Sequence, residues 1–218
     1  MEENLLQILE SENGPLSDEQ IRVLESLSSD ADPFVRDMIA TRLVYSVNET
    51  SKRVLFQLAR DTNELVRTDA YDSLAVFPDA DVLCFLDEAT CIEQEEVARS
   101  YAILSWADVS ILVSADSASQ IQKAYFRKAN EESARCALSW CYALYKMGEE
   151  KTLDEMLLFL NHEDYRIRCT TLSLLSEMAN AKNETKLKGA VEGMLSKESV
   201  LAVLNSAKRF LSNSFSDL

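Results

Sequence analysis

Glycine and proline are scarce in this chain, at 4 and 3 among 218 residues. So few breakers exclude a fold of many hairpins and favour helices joined by short polar turns. Histidine occurs once, as His162, which excludes any catalytic or metal-binding set that needs two imidazoles. None of the glycines stands in a phosphate-loop pattern. No apolar run approaches the roughly 18 residues of a membrane span. The N-terminus, MEENLLQILE, lacks the basic start and apolar run of a signal peptide. A cytoplasmic location with no membrane contact is the expectation. The cysteines (Cys84, Cys91, Cys136, Cys141 and Cys169) are odd in number and unlike a zinc knuckle in spacing, which suits reduced thiols. No metal or cofactor is expected. Base is missing too: between Arg67 and Arg99 stand nine acids and not one Lys, Arg or His.

That gap belongs to a wider asymmetry. Residues 1–109 hold 23 acids and 8 bases, whereas residues 110–218 hold 14 of each, so the whole net charge of −15 lies in the first half. Such a field repels phosphate backbones and attracts basic partners. Apolar residues make up 47%, enough for a substantial core. Residues 30–43, DADPFVRDMIATRL, return 31 positions later as residues 61–74, DTNELVRTDAYDSL. A fixed period of this length marks stacked helical repeats.

Caps and apolar spacing divide the chain further. Leu5, Leu6 and Leu9 suggest a short helix over 2–11. Ser17 with Gln20 forms a capping box for a second helix. Asp32-Pro33 reads as an N-cap followed by Pro at the first helical position, opening a helix over 33–47. Further helices are expected over 51–60, 64–77, 80–88, 93–107, 118–128, 131–147, 151–160, 163–179, 184–195 and 198–211, with an irregular connection over 108–117. Gly148 is a C-terminal stop. No linker divides the chain, so a single domain is expected.

The arginines of the second helices form a column of Arg36, Arg67, Arg99, Arg135 and Arg168. Six residues before them stand Asp30, Asp61, Glu93, Ala129 and His162, and immediately before them Val35, Val66, Ala98, Ala134 and Ile167. The sixth pair has Leu201 where the arginine would stand. This pattern resembles the HEAT-repeat family, whose units are helix pairs with Asp in the turn and Val-Arg early in the second helix. The resemblance implies an all-α, right-handed αα-superhelix of about six pairs. Residues 1–14 would form an N-terminal capping helix, 15–180 five recognisable repeats and 181–218 a C-terminal capping pair. It also implies that Asp30, Arg36, Asp61, Arg67, Glu93, Arg99, Arg135 and Arg168 form a ladder of charge-assisted hydrogen bonds between layers.

In such solenoids the second helices line the concave face. Positions one, two and five residues beyond the arginine would point outward there, giving Asp37, Thr41, Asp69, Asp72, Tyr101, Leu104 and Trp140 as partner-binding residues. Trp106 is expected to pack between layers, and His162 to serve as a turn residue. The function that follows is a non-enzymatic scaffold whose acidic N-terminal half binds a basic protein, with no nucleic acid, no cofactor and no catalytic residue. A narrower form is an immunity-type inhibitor of a basic nuclease toxin. The alternatives within the resemblance are a HEAT-like DNA glycosylase or a bilin lyase. The glycosylase would need a basic DNA track that this chain lacks.

Overall fold

Capping chemistry in the turns sets where the helices begin. The computed structural model describes residues 14–113 and 116–213. Helix α1 spans Asp18–Leu27, and its capping box is closed by Gln20 N–H to Ser17 Oγ (3.3 Å) and Ser17 N–H to Gln20 Oε1 (2.8 Å). Helix α2 spans Pro33–Leu43, capped by Asp32 Oδ1 accepting from Phe34 N–H at 2.9 Å. Helix α3, Glu49–Leu58, is capped by Asn48, and α4, Glu64–Leu74, by Asn63. Helices α5 (Ala80–Ile92), α6 (Glu96–Val113) and α7 (Ser117–Ala129) follow. Then come α8 (Ala134–Lys146, capped by Ser133), α9 (Thr152–Leu158), a 3-10 turn (Phe159–Asn161) and α10 (Tyr165–Met178, capped by Asp164). Helices α11 (Glu184–Leu195) and α12 (Leu201–Asn213) complete the order. Among the described residues the chain is all-α, with no strand.

Gly148 takes φ +100° just beyond α8, a left-handed stop that a side chain would resist. Several expected boundaries differ, α4 ending at Leu74 and not at 77 and α5 running past 88 to Ile92; two of the differences have a visible cause. Helix α2 ends at Leu43 and not near residue 47, because Ser46 is drawn into a turn where its Oγ accepts Leu16 N–H at 2.7 Å. The connection expected over 108–117 is helical as far as Val113, because the buried spacing Ala102, Trp106, Val109 continues the apolar face of α6. The helix expected over 2–11, and with it most of the 1–14 cap, lies outside the described residues.

Packing groups the chain into two compact units, one up to Phe126 and one from Arg127, with the division inside α7 and not at a linker. In the first unit α2, α4 and α6 pack side by side, with α3 and α5 against them. In the second, α10 packs on α12 and on the 3-10 turn, and α9 on α8. One repeated position contributes to each core. Seven residues after the residue preceding each second helix stand Ile39, Ala70 and Ala102 in the first unit and Trp140, Thr171 and Ala207 in the second, all buried. Trp106, expected inside, is fully buried.

Candidate functional site

The turns before the second helices share one construction. The turn residue accepts the backbone N–H two positions on: Asp30 from Asp32, Asp61 from Asn63, Glu93 from Glu95, Glu131 from Ser133, His162 Nδ1 from Asp164, and Glu198 from Val200. The second helix then starts with an N–H four residues beyond the cap bonding to the cap carbonyl, which fixes the register. At that fourth position stand Arg36, Arg67, Arg99, Ala137, Arg168 and Leu204.

At three of these positions the arginine guanidinium reaches back and forward. Arg36, Arg67 and Arg168 each donate through Nη1 to the carbonyl six residues earlier, at 2.6, 2.9 and 2.6 Å. Through Nε and Nη2 they grip the next turn's carboxylate: Arg36 on Asp61 (2.6 and 2.8 Å), Arg67 on Glu93 (2.7 and 2.9 Å), Arg168 on Glu198 (2.7 and 3.2 Å). These forks hold the Asp61 and Glu198 carboxyls below their usual range. For Glu93 burial opposes ionisation, but the Arg67 fork with Glu95 N–H and Tyr71 O–H outweighs it and the carboxyl is still lowered.

This register corrects three expectations. Arg135 stands two residues early, after Ser133, and donates to Thr170 Oγ1 at 3.1 Å, while Ala137 holds the ladder position. The turn residue of that repeat is Glu131, not Ala129. In the sixth pair the arginine position falls on Leu204, not Leu201, and Glu198 supplies a ladder carboxylate that the sequence column passed over. A column built two residues early also misplaced Trp140. It was expected outward, but it is 1% exposed, at the core position, with the Arg127 guanidinium over its ring at 5.7 Å. The outward step in the true register falls on Tyr142, which is itself buried and donates to Glu177 at 2.8 Å.

On the first unit the expected residues do converge. Asp37 on α2 and Asp69 and Asp72 on α4 meet on the face of two adjacent second helices. Burial first, then a hydrogen bond to Asp37 and the charges of Asp37 and Asp72, pushes the Asp69 carboxyl up to about 7. Asp37 Oδ1 is buried with no hydrogen-bond partner among the described residues. Asp72 is exposed, as is Thr41, whose hydroxyl donates to Met38 O at 2.9 Å. Tyr101 and Leu104 lie half-buried on α6, the next second helix. Other acids of the same half are already matched: Lys52 Nζ meets Asp79 at 2.8 Å, Glu49 at 3.1 Å and Asp81 at 3.4 Å.

Among the described residues no group of three or more His, Cys, Asp or Glu is arranged to hold a metal ion, and no helix is long and apolar enough to cross a membrane. His162 takes its turn role through Nδ1 at 3.1 Å from Asp164 N. The class these features define is an all-α protein of paired helices, stapled by arginine forks and bearing a crowded carboxylate face. The chain matches no protein-family model and no curated protein.

Proposed function

We propose that this chain is a HEAT-like repeat protein, a non-catalytic scaffold of the cytoplasm. Its first unit binds a basic protein through the second-helix face carrying Asp37, Asp69 and Asp72. The observation that carries the reading is the crowding of these three carboxyls. Burial first, then the neighbouring Asp37 and Asp72, hold the proton on Asp69 to about pH 7. A Lys or Arg side chain arriving from a partner supplies a positive charge, satisfies Asp37 Oδ1 and displaces the proton. The surrounding field, with nine acids and no base between Arg67 and Arg99, steers such a partner toward the face. Three converging carboxylates oppose a phosphate backbone, so the same face argues for a protein and against DNA.

The test compares affinity capture by the wild-type chain with capture by Asp37→Asn/Asp69→Asn/Asp72→Asn and by Asp79→Asn/Asp81→Asn. Basic proteins retained by the wild type should be lost from the first variant and kept by the second, whose acids serve Lys52. Equal retention by all three chains would overturn the reading.

A further inference from the structure

We infer that the N-terminal edge of the second helices in the first unit is a docking ridge for an amphipathic, basic helix of a partner protein. The inference rests on the proposed reading for the partner's charge, but its surface is a different one. Two residues beyond each cap stand Phe34 on α2, Leu65 on α4 and Val97 on α6. Phe34 is 65% exposed and Leu65 62%, Val97 is half-buried, and Ile92 at the end of α5 is 61% exposed. The Arg36–Asp61 and Arg67–Glu93 forks hold α2, α4 and α6 at one height, so these side chains form a row and are not scattered.

The fold does not require an apolar residue there. At the same register position the second unit carries Arg135, Arg166 and Ala202, none of them a large apolar group, and Arg166 is exposed. Large apolar groups held in solvent in register mark an interaction surface where singly scattered ones would not. The occupant follows from spacing and charge. Packed helices lie about 8–10 Å apart, and seven residues of an α-helix rise about 10.5 Å. A helix laid along the edge, with an apolar residue at every seventh position, therefore meets Phe34, Leu65 and Val97 in turn. Carboxylates flank each anchor: Asp32 before Phe34, Glu64 before Leu65, Glu95 and Glu96 before Val97. They offset the positive helix N-termini beneath and ask for Lys or Arg on the flanks of the incoming helix.

The probe is a synthetic helical peptide of about 21 residues with Leu at every seventh position and Lys on both flanks. Its partner control has the same composition in scrambled order. Binding is read by fluorescence anisotropy against the wild-type chain, Phe34→Ser/Leu65→Ser, and Asp37→Asn/Asp69→Asn. The registered peptide should bind the wild type at least tenfold more tightly than the scrambled one. It should lose about tenfold on Phe34→Ser/Leu65→Ser, with unchanged thermal melting, and keep its affinity for Asp37→Asn/Asp69→Asn. Equal binding of the two peptides, or indifference to Phe34→Ser/Leu65→Ser, overturns the ridge and leaves the acidic-face reading to its own capture test. Dimerisation of the wild type in sedimentation, abolished by Phe34→Ser/Leu65→Ser, would also overturn it, because the ridge would then be covered by a second copy of this chain.

Discussion

Two residues after each cap the first unit carries Phe34, Leu65 and Val97, whereas the second carries Arg135, Arg166 and Ala202. On the neighbouring face the first unit gathers Asp37, Asp69 and Asp72. The second unit lines a polar cavity of about 200 Å³ there with Cys169, Ser173, Ser176, Ser206 and Arg209. The first unit holds the entire net charge of −15 and the second is neutral. Yet the turns are built alike in both, down to the carboxylate or imidazole that accepts the second N–H of the turn. The difference teaches that the turn and core positions are built alike in both units, while the cap-plus-two and outward positions carry different chemistry in each.

The core position gives the largest test of that division. Trp140→Ala should cost the second unit about 3–5 kcal/mol in urea unfolding, because Trp140 is buried where the first unit needs only Ala70 and Ala102. A smaller loss would mean that the two cores are not built on one register.

Next come the forks. Arg67→Ala leaves Glu93, whose side chain is 5% exposed, without its cation, and should cost about 2–3 kcal/mol. Arg168→Ala strands Glu198 at the same exposure and should cost as much. Arg135→Ala, off the ladder, should cost less than about 1 kcal/mol. If Arg135→Ala matched the other two, the register drawn from the caps would be wrong.

The ladder is interrupted inside the second unit, where Ala137 faces no acid and His162 replaces one. Ala137→Arg with His162→Asp should restore a fork. A double-mutant cycle should show a favourable coupling of about 1 kcal/mol that neither single change gives. Absence of coupling would show that this joint is spaced differently from those in the first unit.

The smallest effect concerns Asp69. Its carboxyl titrates near 7 in the folded chain and near 3.9 when unfolded. The folded state therefore binds the extra proton between about pH 4 and 7, and stability falls as pH rises through that window. Asp69→Asn removes the effect. It should stabilise the chain by about 1 kcal/mol at pH 8, after allowance for solvent screening of a partly exposed group, and by almost nothing at pH 4. Denaturant midpoints at the two pH values measure this. No counterpart is expected for Ser206 on the corresponding face of the second unit.

Much of this was legible in the residues. The Ser17–Gln20 box, Asp32-Pro33, and the spacing of Arg36, Arg67 and Arg168 are local chemistry, and the helices begin where those residues place them. The failures lie in the register of the arginine column. Counting back from Arg135 assumed that every second helix carries its first arginine at the same depth. The length of α6, which runs on to Val113, and the loss of the ladder arginine at Ala137 broke that assumption. Trp140 was misread as a result, whereas Glu198 was passed over because the sixth column position was set at Leu201, three residues before Leu204. The three aspartates of the first unit were each picked out by position alone, but nothing in the sequence states that Asp37 lies against Asp69.

By itself, then, the sequence determined most of the helices, the Ser17 and Asp32 caps, the charge asymmetry and two of the three forks within the units, because capping and periodicity act over a few residues or a fixed repeat. Only the tertiary structure decided which residue of each repeat stands at which height, that Glu198 closes the Arg168 fork, and that Asp69 keeps its proton near neutrality. Those depend on side chains from different helices meeting, and packing sets that distance, not spacing along the chain.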